Sequence, residues 1–172
     1  MLFAEIILAF EYLHNENIFY RDLKPENILV DANGHLKLTD FGLSKPLFGE
    51  DDETESFVGS PEYMSPEVLS GDPYGRSVDI YTIGVLFYEM ICGLPPHYNE
   101  NKLVMYRDIS KKQVKVPEFF PVDLRDLLES LLEIDPFKRL GCGLKNKEGI
   151  LAIKKHKFFS EIDWEGVKNK KN

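Results

Sequence analysis

Tyr20-Arg21-Asp22-Leu23-Lys24-Pro25-Glu26-Asn27, followed further on by Asp40-Phe41-Gly42, is the stretch on which the reading of this 172-residue chain turns. Between the two lie short apolar or alternating runs at 27–30 and 35–39, on either side of Asp31-Ala32-Asn33-Gly34. That tetrapeptide supplies turn chemistry and a residue that tolerates positive φ, so the runs read as a small β-hairpin. A hairpin brings its own ends together. Asp22 and Asn27 stand before the first strand and Asp40 after the second, so three oxygen-bearing side chains converge at one end with Lys24 among them. Hard oxygen ligands that leave room for water and phosphate suit Mg²⁺ better than a transition metal. A carboxylate, a metal site and a lysine are together the parts that phosphoryl transfer needs.

Outward from the hairpin, the chain reads as helix. Phe3, Ile6, Ile7, Phe10 and Leu13 recur at helical spacing and run into the turn-like residues 14–17. Residues 78–92 are apolar on nearly every side, the pattern of a helix enclosed by other elements. Val122, Leu124, Leu127, Leu128, Leu131 and Leu132 make an amphipathic stripe that ends near Asp135-Pro136, because proline disfavours helix at the residue before it. Helices are also expected over 102–111 and 147–155. Residues 49–77 hold Gly, Pro, Ser and a block of acids without a sustained period, and read as one long loop. The expected fold class is mainly α within α+β: a helical bundle around one buried helix, with a single hairpin beside the first.

Composition narrows the function classes. With 43% hydrophobic residues the chain can bury a core, and 21 basic against 29 acidic residues give a net charge of −8. That balance argues against a surface built for nucleic acid or anionic lipid. The longest apolar stretch, 80–88, lies between Asp79 and Glu89 and is too short for a transmembrane segment. Cys92 and Cys142 form no disulfide framework, and His14, His35, His97 and Cys142 show no metal-like grouping. A setting in the cytoplasm, with the nucleus as an additional one, is expected. From Lys145 onward eight lysines face four acids, a local excess of four positive charges.

The tracts at 20–27 and 40–42, together with Ser65-Pro66-Glu67, resemble the catalytic loop, metal-binding motif and activation-segment end of the eukaryotic protein kinases. Lys24 and Glu26 are similar to the serine/threonine branch. Residues 56–63, Gly93-Leu94-Pro95-Pro96, Arg139-Leu140-Gly141 and the tail through Trp164 resemble the AGC group, in particular protein kinase B and the serum/glucocorticoid-regulated kinases. The resemblance implies that residues 1–164 form the large C-terminal lobe of a catalytic domain, with catalytic loop 20–27 and activation segment 40–67, and that 165–172 is a short basic tail. It implies ATP and Mg²⁺ as cofactors and protein serine or threonine as substrate.

Residue by residue, it makes Asp22 the catalytic aspartate, Lys24 the neutraliser of the transferring phosphoryl, and Asn27 and Asp40 the metal- and nucleotide-binding pair. Ser56 falls at the activation-loop phosphosite of an upstream kinase, with Arg21 and Lys45 to receive the phosphate. The alternative is that Glu50, Asp51, Asp52, Glu53 and Glu55 already crowd this loop with charge, or merely keep it soluble. Ser60 resembles the residue that bonds the catalytic aspartate and lysine. Glu26 and Glu89 match positions that read arginines upstream of the target, the other reading being two surface glutamates. Phe57, Pro61 and Met64 suggest an apolar pocket for the residue after the target. Glu67 and Arg139 match a structural buried ion pair, and Asp79 the aspartate that anchors the catalytic loop.

No G-x-G-x-x-G occurs in these residues, so the nucleotide-roofing small lobe is expected to be supplied by a longer protein, or its interface covered by a partner. A reading from another class is a non-catalytic lobe that docks kinase substrates or regulators. The two separate on whether Asp22→Ala changes the outcome. Intact Asp22 and Asp40 weigh against a pseudokinase.

Overall fold

A computed structural model describes residues 1–46, 53–142 and 148–170. The apolar spacing at the start folds as α1 (Leu2–Asn15), which buries Ile6, Ile7, Phe10, Leu13 and His14 on one face. Phe3 leaves α1 to stack on Phe87, ring centroids 3.9 Å apart. Phe87 belongs to α3 (Ser77–Cys92), whose residues from Val78 to Phe87 are all buried. Such a helix is stable only because neighbours cover every side. Its last turn is different: Met90 and Ile91 are exposed, and Gly93 ends the helix in the left-handed conformation at φ 81°.

The leucine stripe forms α5 (Val122–Leu131), which packs Leu124, Leu127, Leu128 and Leu131 into the same core. Full burial of each such side chain is worth about 1.5–3 kcal/mol. The approach of α5 to α3 is set by Gly84, where an added Cβ would lie 2.9 Å from Leu131 Cβ and 3.0 Å from the Leu132 side chain. Between them, α4 (Lys102–Lys111) starts where Asn101 Oδ1 accepts from the Leu103 and Val104 amides, and it buries Met105 and Ile109.

The expected hairpin is β2 (Ile28–Val30) against β3 (Leu36–Leu38), antiparallel, with Leu29 opposite Lys37. It is clamped to α1 by Glu5, whose carboxylate meets His35 Nδ1 and accepts from the Leu36 amide, each at 2.7 Å. It is not the only ribbon. β1 (Ile18–Phe19) pairs with β4 (Lys45–Pro46), two residues each and separated by 25 positions in sequence. So short a pair has no period to read, and its partner is long-range.

The loop expected over 49–77 is also corrected within the described residues. It contains a 3₁₀ turn at Pro61–Tyr63 and α2 (Pro66–Ser70), each opened by a proline at a position where its missing N–H costs nothing. Thr54 pairs with Tyr74 by backbone bonds of 2.9 and 3.0 Å, closing the segment on itself. The acids at 50–52 lie outside the described residues.

The helix expected over 147–155 is confined to α6 (Ile150–Lys154), the start of the expected range falling outside the description. Residues 164–168 form α7 (Trp164–Lys168), capped by Asp163 Oδ1 accepting from the Gly166 amide at 3.0 Å. Lys154 ties α6 to it with its Nζ 4.9 Å from the Trp164 ring centre, while also bonding Glu11 of α1.

Arg139 and Glu67 join the end of this bundle to α2. Nη1 and Nη2 reach the two carboxylate oxygens at 2.6 and 3.0 Å, a bidentate pair essentially closed to water.

Candidate active site

Asp79, fully buried on α3, organises the loop that carries the site. Its Oδ2 accepts from the Tyr20 amide at 2.9 Å and meets His14 Nε2 at 2.8 Å, while Oδ1 accepts from the Arg21 amide at 2.9 Å. Arg21 is held at φ 69°, in the left-handed region that a non-glycine residue occupies at a cost of about 1–3 kcal/mol. Two charge-assisted bonds to consecutive amides hold that turn in place. They explain why an acid sits inside an apolar helix.

Beyond the turn, four predicted residues meet. Asp22 Oδ2 accepts from Lys24 Nζ at 2.9 Å and from Asn27 Nδ2 at 3.0 Å, and its Oδ1 accepts from Ser60 Oγ at 3.0 Å. Lys24 Nζ also donates to Ser60 Oγ at 2.9 Å. The Pro25–Asn27 turn aims the Asn27 amide back, so that Nδ2 also reaches the Asp22 carbonyl at 2.8 Å. Ser60 comes from a distant part of the chain, so the network also fixes where segment 58–65 lies. Asp22 itself is 7% exposed, a carboxylate set in a wall of donors.

Asp40 reaches the same end of the hairpin. The Thr39 amide and hydroxyl both donate to the Asn27 carbonyl, at 2.9 and 3.1 Å, closing the two strand ends on each other. Asp40 then turns at φ 56° and stays exposed, its Oδ1 accepting from the Gly42 amide at 3.1 Å. Tyr20 sits behind both, its hydroxyl donating to the Thr39 carbonyl. Burial chiefly, with the nearby charges of Asp22, Asp40 and Asp79, pushes the Tyr20 hydroxyl up to about 12 against a hydrogen bond from Asn27. It therefore remains a neutral donor.

The Asn27 amide oxygen and the Asp40 carboxylate make a sparse, hard donor set. This suits Mg²⁺, which keeps several waters and shares phosphate oxygens. Among the described residues no group of three or more His, Cys, Asp or Glu could hold a metal. His14 and His35 are instead bonded to Asp79 and Glu5.

The expected specificity and switch residues lie around this centre. Tyr63 donates its hydroxyl to Glu89, and burial first, then Glu89, Glu26 and Glu62, hold that hydroxyl well above its ordinary range. Of the two glutamates expected to read arginine, Glu89 is the one bonded to Tyr63, while the charges of Glu26 and of Glu62 add to the same shift; Glu62 was not singled out in the sequence. Phe57 is exposed, Pro61 half-buried, and Met64 buried against Phe19, Val68, Tyr74 and Val78.

Ser56 Oγ lies 3.0 Å from Thr54 Oγ1, and its carbonyl accepts from the Tyr74 hydroxyl at 2.6 Å. Arg21 Nε donates to the Leu43 carbonyl at 2.7 Å and Nη1 to the Tyr74 hydroxyl at 3.3 Å. Lys45 sits opposite Phe19 in β4, with no bond to Ser56 among the described residues. Tyr74 was also missed, since nothing local marks a tyrosine as a bridge between segments 53 and 18 positions away.

Comparison with known proteins identifies the family. The family profile described as protein kinase domain matches residues 1–159. The chain is 49% identical over 168 residues to the serine/threonine-protein kinase gad8 of Schizosaccharomyces pombe, covering 98% of this chain and 29% of that protein. It is 50% identical over 163 residues to the RAC family serine/threonine-protein kinase homolog of Dictyostelium discoideum, with 94% and 35% covered. Against the human serine/threonine-protein kinase Sgk1 it is 48% identical over 168 residues, with 98% and 38% covered. The chain thus spans about a third of the length of these relatives. With the family's profile running through nearly all of it, the chain belongs to the protein kinase family, and the relatives it resembles are named serine/threonine-protein kinases.

Proposed function

We propose that this chain is the large lobe of a kinase that transfers the γ-phosphoryl of Mg·ATP to serine or threonine of protein substrates. The observation that carries the reading is the four-way junction of Asp22, Lys24, Asn27 and Ser60 beside Asp40. Asp22 orients the substrate hydroxyl and accepts its proton, while Lys24 stands beside it to balance charge on the transferring group. Ser60 holds both in register. Asn27 and Asp40 are the residues that would hold Mg²⁺, which when bound neutralises charge on the nucleotide phosphates. Glu26 and Glu89, whose negative charges both act on the Tyr63 hydroxyl, favour arginine upstream of the target. Phe57 and Pro61 offer apolar surface to the residue after it.

Ser56 is read as the site of an upstream activating kinase, with Arg21 as the first receiver of the phosphate and Lys45 as a second. The setting is read as cytoplasmic or nuclear. The test uses the protein expressed from its native transcript, with a serine peptide, Mg²⁺ and ATP. Asp22→Ala should reduce transfer by a factor of about 10² or more, and Asp40→Ala should abolish its Mg²⁺ dependence. Normal turnover in either variant overturns its assigned role. Partner binding unchanged by Asp22→Ala, in a wild type with no transfer activity, would point to a docking lobe.

A further inference from the structure

The second apolar cluster of the lobe contains Phe19, Met64, Val68, Tyr74 and Val78. Within it the Tyr74 ring is 3% exposed and packs edge-on to Phe19, centroids 6.3 Å apart. A tyrosine buried this deeply needs a use for its hydroxyl. Here the hydroxyl has two: it accepts from Arg21 Nη1 at 3.3 Å and donates to the Ser56 carbonyl at 2.6 Å. The Tyr74 backbone adds a third tie through its paired bonds to Thr54.

From this geometry we infer that Tyr74 is a positioning residue that preorganises the receiving site for a phosphate on Ser56, before any phosphate arrives. The inference rests on the proposed reading of Ser56 as a phosphosite. Two features support it. First, Tyr74 grips Ser56 by its backbone carbonyl rather than by its hydroxyl, whose one partner among the described residues is Thr54 Oγ1 at 3.0 Å, so the grip of Tyr74 survives modification of the hydroxyl. Second, Arg21 is fixed by the Leu43 carbonyl through Nε and by Tyr74 through Nη1, and its carbon lies 5.4 Å from the Phe19 ring centre. Nη2 has no hydrogen bond among the described residues. The guanidinium is therefore oriented with one edge unspent, and an arriving anion finds its partner already ordered.

The test uses Tyr74→Phe, which keeps the ring in the apolar cluster and removes only the hydroxyl. The first arm is amide hydrogen exchange of residues 54–60 in the unphosphorylated chain. Losing the two bonds should speed exchange there by about tenfold, with the amides of α1 and α5 unchanged. The second arm is ³¹P titration of the chain carrying phosphoserine at position 56. In the wild type the phosphate should titrate below the ordinary value of about 6, and in Tyr74→Phe it should move back towards that value.

A phosphate titrating low in both proteins, with unchanged exchange at 54–60, overturns the inference while leaving Arg21 as receiver. An ordinary titration in the wild type would sink the phosphate-receiving role of Arg21, and with it the preorganised site. Exchange raised uniformly across the lobe would make Tyr74 a general packing residue and also overturn the inference.

Discussion

Replacing Glu67 by Gln probes the ion pair that joins α2 to the end of the bundle. Arg139 uses all five of its N–H donors inside the protein. Nε reaches the Glu133 carbonyl at 2.9 Å, Nη1 the Ser77 carbonyl at 2.9 Å and Nη2 the Ile134 carbonyl at 3.3 Å, and the remaining two hold Glu67. In Glu67→Gln the guanidinium keeps its carbonyls and loses its countercharge in a site closed to water. Removing one partner of such a pair costs about 3–5 kcal/mol, a large share of the roughly 5–15 kcal/mol that holds a domain together.

Urea unfolding at pH 7, followed by Trp164 fluorescence, measures the loss. With an m-value of about 1–3 kcal/mol/M, the midpoint should fall by at least about 1 M. The pH dependence gives a second check. Burial by itself raises the Glu67 carboxyl, but the charge and hydrogen bonds of Arg139, with a bond from Ser77, outweigh it and leave the group below its ordinary 4.5. A depressed folded-state value contributes stability above the unfolded value and loses it as pH falls through the folded one. The gap between wild type and variant should therefore be full at pH 7 and narrow only below pH 4.5. A loss under about 1 kcal/mol, the range of exposed pairs, or a gap that widens on acidification, refutes the reasoning.

Two further outcomes follow from other parts of the structure. Gly84→Ala gains about 0.8–1 kcal/mol of helix propensity but drives a methyl into Leu131 and Leu132, an overpacking of about 1–3 kcal/mol; urea midpoints should fall in the order Gly, Ala, Val at this position, and a stabilised Gly84→Ala would contradict the close approach of α3 and α5. In the protein expressed from its native transcript, Glu26→Gln/Glu89→Gln should cut the kcat/KM advantage of peptides with upstream arginines by about tenfold or more, whereas equal wild-type rates on peptides with and without arginine remove both residues from the specificity argument.

Much of the candidate site was legible because it is local. Asp22, Lys24 and Asn27 lie within six positions, and the turn chemistry of 31–34 is enough to bring Asp40 back to them. The buried helix was legible for the same reason: its run of apolar residues admits no exposed face. The β1–β4 ribbon, the bridge from Thr54 to Tyr74 and the short helix α2 were not, because each is too short to show a period and is stabilised by residues far along the chain.

Sequence alone settled the kinds of side chain, the helical periods and the hairpin that gathers the acidic and amide oxygens. Only tertiary structure decided what each charge faces. Asp79, read as a loop anchor by resemblance, acquires two specific amides and a histidine; Glu89 receives the Tyr63 hydroxyl; and Tyr74 becomes the link between Arg21 and Ser56. The physical reason is that hydrogen bonds and desolvated charges act over a few ångströms in space. The partners that meet at that range here lie between 18 and 65 positions apart in sequence.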